Sequence, residues 1–98
     1  MIPGFLAAGQ VDVTYTGPAV GIWNAAANWT PAGVPNNGTP AGVTYNVTVP
    51  TALDVALDNG FNASINRLFN AGTVRIDGSI LSINASALGS ILDNTGLI

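Results

Sequence analysis

The chain has 98 residues, and only 7% of them are charged: two arginines and five aspartates, with no lysine, glutamate, histidine or cysteine. This length corresponds to one small domain or to a piece of a larger one. Two arginines in a chain of net charge -3 cannot form the basic surface that binds phosphates, so nucleic acid is excluded as a partner. Without histidine or cysteine there is no thiol chemistry, disulfide framework, or Ser-His or Cys-His catalysis. The composition predicts a non-enzymatic protein with no catalytic residue, metal site or cofactor.

Hydrophobic residues make up 48% of the chain, in short clusters broken by Gly, Asn, Asp and Pro. No cluster approaches the roughly 18 residues that cross a bilayer as a helix, so no membrane span is predicted. The first nine residues end in small side chains but lack the basic leader and the apolar stretch of a complete signal peptide. Abundant Asn, Gly and Thr beside Val and Ile is a mixture of turn formers and strand formers, which predicts an all-β fold.

Two strands are predicted near the start of the chain, over residues 11–15 and 19–23. The first alternates between apolar and polar residues with a period of two. Residues 24–42 then hold three prolines and an Asn-Asn-Gly run, which predicts an ordered loop. Within it, residues 25–27 could form one helical turn with Asn24 as the N-cap.

From residue 43 onward, short strands alternate with polar turns, and an internal repeat of 18 residues is visible. Polar-aliphatic-polar triplets at 46–48, 64–66 and 82–84 share that spacing, whereas 55 and 57 match 74 and 76 only at a spacing of 19. We predict a capping segment over 1–42, followed by about three degenerate repeats over 43–98, in one continuous domain. The predicted repeat corners are the turn residues Asn59, Gly60, Asp77, Gly78, Asn94 and Gly96.

A unit of 18 residues has the length of one coil of a β-solenoid, whose coils stack about 4.8 Å apart. Each coil would bury an inward row of aliphatic side chains, and polar residues at the corners would form ladders between coils. The alternative is a small antiparallel β-sandwich, in which hairpins turn at Asn59-Gly60 and Asp77-Gly78.

Residues 21–38 contain the pattern Trp-Asn-x-x-x-Asn-Trp-x-x-x-Gly-x-Pro. This pattern resembles a segment of large secreted bacterial surface proteins of the autotransporter-associated β-repeat and sorting-signal-bearing types. The tail, residues 91–98, is similar to the Asn-x-Gly-x-Ile corners of filamentous-adhesin coils. The resemblance covers about residues 11–98. It implies a right-handed β-solenoid in an exported, extracellular or cell-surface protein, with the Trp-rich segment capping its N-terminal end, and it implies no catalytic activity.

The resemblance leads us to expect a structural or adhesive module that self-associates through its solenoid ends, end to end into a fibre. Its exposed coil edges would offer unpaired backbone groups to a second copy. The alternative function is a carbohydrate-binding module for surface glycans, with Trp23 and Trp29 as exposed rings that stack on sugars. The competing interpretation of both indoles is a buried lid on the first coil.

Four aspartates lie at or near predicted corners: Asp54, Asp58, Asp77 and Asp93. Stacked carboxylates could hold Ca²⁺, but the Gly-Gly-x-Gly-x-Asp repeat is absent, so solvated turn residues are favoured. A glycosidase pair of Asp58 and Asp77 is disfavoured, because no aromatic cleft flanks them. Arg67 and Arg75 are expected to pair with Asp58 or Asp77 at the surface.

Overall fold

The computed structural model describes residues 9–39, 41–84 and 91–98. The two predicted N-terminal strands are β1 (Gln10–Tyr15) and β2 (Val20–Ile22). One 3-10 turn (Ala26–Asn28) follows, in which Ala25 occupies the N-cap position that was predicted for Asn24, and no side chain caps it. The remaining strands are β3 (Trp29–Thr30), β4 (Thr44–Val49), β5 (Asp54–Leu57), β6 (Ala63–Ile65), β7 (Arg67–Asn70), β8 (Thr73–Ile76), β9 (Leu81–Ile83) and β10 (Ile91–Asn94).

The all-β prediction is confirmed, and the strands form three open sheets. A five-stranded sheet has the order β10-β7-β4-β1-β3, a three-stranded sheet has the order β2-β5-β8, and β6 pairs with β9. Every pair is parallel except β1 with β3. Several open sheets are also compatible with a small β-sandwich. The strands on either side of Asn59-Gly60 belong to different sheets, however, as do those beside Asp77-Gly78, so neither turn joins a hairpin.

No helix long and apolar enough to cross a membrane occurs among the residues that the structure describes.

The spacing of paired strands differs from sheet to sheet. Ser64 stands opposite Ser82 at the expected spacing of 18 residues, whereas Val55 stands opposite Val74 at a spacing of 19. The triplet 46–48 does not align with 64–66 as the repeat predicted, because Val47 pairs with Leu68. The turns between the strands differ in length, so no single offset describes all three sheets.

The core lies between the sheets and is filled by inward-pointing side chains, which on most strands stand at every second position, whereas β5 buries three consecutive residues. On β4, this alternation buries Tyr45, Val47 and Val49 and leaves the residues between them partly exposed. Inward-pointing residues on neighbouring strands stand opposite each other and form rows across the sheet. Val47 and Leu68, for example, are paired and both fully buried. Burial of an aliphatic side chain of this size contributes about 1.5 to 3 kcal/mol.

Two of the predicted corners are turns that need left-handed backbone geometry. Asn59 and Gly60, between β5 and β6, have φ of 56° and 73°, and Gly78, between β8 and β9, has φ of 70°. Glycine and asparagine adopt this region at low cost, which explains their use at these positions.

Candidate functional site

Three aromatic rings form one buried cluster at the β1 end of the core. The exposed fraction of Trp23 is 0%, that of Trp29 is 2%, and that of Tyr15 is 0%. The two indoles meet edge to face with centroids 4.9 Å apart, and Trp29 meets Tyr15 in the same manner at 5.5 Å. Such pairs contribute about 0.5 to 1.5 kcal/mol each beyond the area that they bury.

The polar ends of both indoles are also bonded inside the protein. Trp23 Nε1 donates to the carbonyl of Pro35 at 2.9 Å, and Trp29 Nε1 donates to the carbonyl of Trp23 at 2.8 Å. Neither ring presents a face to solvent. The interpretation of Trp23 and Trp29 as an exposed stacking platform for sugars is therefore wrong, because the rings pack on the core and tie residues 23–35 to it.

The same segment covers backbone groups at the edge of the five-stranded sheet. Strand β3 pairs antiparallel with the end of β1, with Tyr15 opposite Trp29. Just before it, Asn28 donates its side-chain amide to the carbonyl of Ile22 at 3.0 Å, at the end of β2. The segment therefore occupies backbone groups of β1 at Thr14 and Tyr15 and the last carbonyl of β2.

Two asparagines of the loop cover the free edge of β6. Asn36 Oδ1 accepts from the backbone N–H of Ser64 at 3.0 Å, and the backbone N–H of Asn37 donates to the carbonyl of Ser64 at 2.6 Å. The Asn37 side chain then links two strands' ends, since its Oδ1 accepts from the N–H of Tyr45 and its Nδ2 donates to Asn66 Oδ1. Loop residues thus occupy the place where another strand would pair.

Tyr15 is held by its hydroxyl as well as by its ring. The phenol donates to the carbonyl of Pro18 at 2.7 Å. Burial, and to a lesser degree the negative charge of Asp54, raises the pKa of Tyr15 above its ordinary value of 10.0. The neutral phenol is therefore the form that this cluster accommodates.

The opposite end of the molecule exposes apolar side chains. One inward row runs through Val13, Val47, Leu68 and Leu92, which face each other on successive strands. The exposed fractions are 2%, 0%, 0% and 55%, so the row is covered everywhere except at its last member. We call the exposed apolar side chains here the open end; they are Ile76, Ile80, Leu92, Leu97 and Ile98.

Asn70 is a buried polar residue that the sequence analysis did not single out. Its side chain is 1% exposed, and its Nδ2 donates to Asn94 Oδ1 at 2.8 Å and to the carbonyl of Leu97 at 2.9 Å. The Asn-x-Gly motif at 70–72 recurs at 94–96, and this recurrence is the sequence feature that could have identified Asn70. Gly96 accordingly stacks on Gly72, where a Cβ would collide with the Gly72 carbonyl, and not on Gly78.

The aspartates do not converge on one point. Asp54 accepts from Arg75 Nε at 2.7 Å, so the partner of Arg75 is neither Asp58 nor Asp77 as expected. This hydrogen bond, together with the charge of Asp54, raises the pKa of Arg75. Among the described residues, no group of three or more His, Cys, Asp or Glu side chains could hold a metal ion. The side chain of Asp93 lies outside the described part of the chain.

Comparison of the chain with protein-family models, with curated proteins and with solved structures finds no match.

Proposed function

We propose that the chain is the covered beginning of a right-handed β-solenoid from an extracellular bacterial surface protein. Its function is structural or adhesive, and it associates with a second copy through the open end. The single observation that carries this proposal is the row from Val13 to Leu92, which is buried along its length and 55% exposed at its last residue.

The order of strands supports the solenoid architecture. Successive passes of the chain contribute β4, β5 and β6, then β7, β8 and β9, with one strand to each of the three sheets. Parallel strands that pair across such passes require long crossover connections, whereas a sandwich built from hairpins pairs sequential strands antiparallel. The extracellular placement rests on the resemblance of residues 21–38 to secreted surface proteins.

The difference between the two ends supports association through one of them. At the β1 end, β3 and the loop asparagines occupy backbone groups and the indoles cover the core, while β2 is the edge strand of the three-stranded sheet and exposes Val20 and Ile22. At the open end, β9 and β10 are the last strands of their sheets among the described residues and lie beside exposed aliphatic side chains, while the edge of β8 is paired at Thr73 with Leu97. An apolar surface next to a strand edge, with few charges, is a template for pairing with another chain.

The test measures oligomeric state over a range of concentrations, by size-exclusion chromatography with light scattering and by negative-stain electron microscopy. Ile76→Lys and Leu92→Lys place a charge on the open end, and both side chains are already partly exposed. Val20→Lys is the matched control, because Val20 is a 64% exposed aliphatic residue on β2, away from the open end. Circular dichroism checks that each variant is folded.

We expect the wild type and Val20→Lys to associate as concentration rises, and the two open-end variants to remain monomeric. A closed dimer would support pairing of two open ends, whereas filaments with a continuous axis would require a second interface at the β1 end and would overturn association through the open end alone. A wild-type monomer at millimolar concentration would overturn the proposal. So would an oligomer that both open-end variants still form.

A further inference from the structure

The outer face of the five-stranded sheet carries a polar groove that the proposed self-association does not use. The groove has a volume of about 510 Å³ and crosses β1, β4 and β7. It is lined by Gln10, Asp12, Asn46, Thr48, Arg67 and Phe69. Since neighbouring strands lie about 4.8 Å apart, the groove spans about 10 Å across the three strands.

Its floor is a row of three polar side chains in strand register. Asp12 stands opposite Asn46, and Asn46 stands opposite Arg67. Asn46 Nδ2 donates to Asp12 Oδ1 at 2.8 Å, but the Asn46 Oδ1 is buried without a hydrogen-bond partner.

The charges of the described lining cancel. Among the described residues, Asp12 is the one carboxylate and Arg67 the one cation in the lining, and no ion pair joins Arg67 to a carboxylate among the described side chains. The lining therefore offers acceptors and donors side by side without a net charge. Hydroxyl groups, which donate and accept at once, match such a set better than an anion or a cation does.

Phe69 adds an apolar surface to this polar lining. Its side chain is partly exposed and is not a member of the buried core. A second groove of about 410 Å³ also borders Thr48 and Phe69, so the two grooves adjoin at the phenyl ring. An aromatic ring between two polar or open stretches can pack against the C–H face of a sugar ring.

We infer that this outer groove binds a neutral oligosaccharide. The phenyl ring of Phe69 packs on one sugar ring, while Asp12, Asn46 and Arg67 hydrogen-bond to the hydroxyl groups of a neighbouring ring. A polyanionic chain is disfavoured, because the protein has a net charge of -3. The site is separate from Trp23 and Trp29, whose rings are buried.

The test titrates the whole chain with neutral hexasaccharides of β-1,4-linked glucose and mannose, and with a galacturonate hexasaccharide, by calorimetry and by amide NMR shifts. Phe69→Ala removes the ring, and Arg67→Gln removes the guanidinium. Arg75→Gln is the matched control, because Arg75 lies on β8 in a different sheet, outside the groove. Thermal unfolding and circular dichroism verify the fold of each variant.

We expect a neutral hexasaccharide to bind, with shifts on the outer face of β1, β4 and β7. Phe69→Ala should weaken binding about tenfold, a change that corresponds to roughly 1.4 kcal/mol. Arg67→Gln should weaken it too, and Arg75→Gln should not. The fluorescence of the buried indoles should stay unchanged. No binding of either neutral sugar, binding of the galacturonate alone, or equal effects of Arg67→Gln and Arg75→Gln would each overturn the inference.

Discussion

Asn70 shows how one amide fastens a corner of the fold to the chain beside it. Its Nδ2 bonds to Asn94 and to the carbonyl of Leu97, and its Oδ1 accepts from the backbone N–H of Gly72 at 3.2 Å. Two of these partners, Gly72 and Asn94, belong to the two stacked Asn-x-Gly corners, and the third, Leu97, directly follows the second corner. A buried amide with this many bonds holds both corners in one conformation.

Asn70→Ala removes the amide and leaves the buried N–H of Gly72 without an acceptor, whereas the carbonyl of Leu97 keeps its bond from the N–H of Val74. We expect the free energy of unfolding to fall by about 1 to 3 kcal/mol, measured by urea denaturation. Asn24→Ala is the control, since Asn24 is exposed, and should change the free energy by less than about 0.5 kcal/mol. Equal effects of the two variants would contradict the assigned role of Asn70.

Tyr15 makes the stability of the fold dependent on alkaline pH. Because burial raises its pKa in the folded state, the folded chain retains the phenol proton at pH values where the unfolded chain has lost it. The stabilisation from this group is therefore complete below about pH 10, the unfolded value, and is lost as pH rises through the raised folded pKa.

The variant Tyr15→Phe isolates this ionisation. Near neutral pH it loses the hydrogen bond to Pro18 and should be less stable than the wild type by about 1 kcal/mol. Above about pH 10, the wild type alone carries the ionisation, so the difference between the two proteins should narrow. Urea denaturation at neutral and alkaline pH measures the difference in free energy of unfolding between the two proteins. A difference that does not change with pH would show that ionisation of Tyr15 is not linked to unfolding.

At the scale of elements, two strands near the chain start could be predicted, the first from its alternating side chains and the second as a short apolar run. The predicted strand 11–15 is β1 (Gln10–Tyr15), and the second, 19–23, is β2 (Val20–Ile22). The pairing of strands could be predicted only in part, because a repeat assumes one spacing whereas the spacing between paired residues differs from one strand pair to the next. The 18-residue offset holds for β6 with β9 and fails for β4 with β7.

The role of the tryptophan segment could not be decided from its residue types. Indoles in a loop rich in Gly and Asn suit a sugar platform as well as a buried lid. The buried position depends on hydrogen-bond acceptors for the two indole N–H groups, the carbonyls of Pro35 and Trp23, and the sequence does not reveal that these carbonyls lie within reach. The outer groove was missed for a related reason, since Asp12, Asn46 and Arg67 come together only through strand register.

At the scale of the whole molecule, the structure has a covered end, a buried middle and an open end. Chains built from stacked units take their stability from contacts between neighbouring units, so a unit with one neighbour is less stable than a unit with two. Strands β4 and β5 have paired neighbours on both sides, whereas β9 and β10 are the last strands of their sheets among the described residues. Local opening should therefore start at the open end.

Amide hydrogen exchange, followed by NMR at low protein concentration, can measure this gradient. We expect the slowest exchange in β4 and β5, together with slow exchange of the indole N–H groups of Trp23 and Trp29, and the fastest in β9 and β10. If a second copy covers the open end, raising the concentration should slow exchange in β8, β9 and β10. The indole N–H groups serve as the internal control, because they are already buried and bonded at the far end. Equal protection of all strands in a sheet would contradict the gradient. If the protein associates but protection of the open end does not change with concentration, the contact between copies lies elsewhere on the surface.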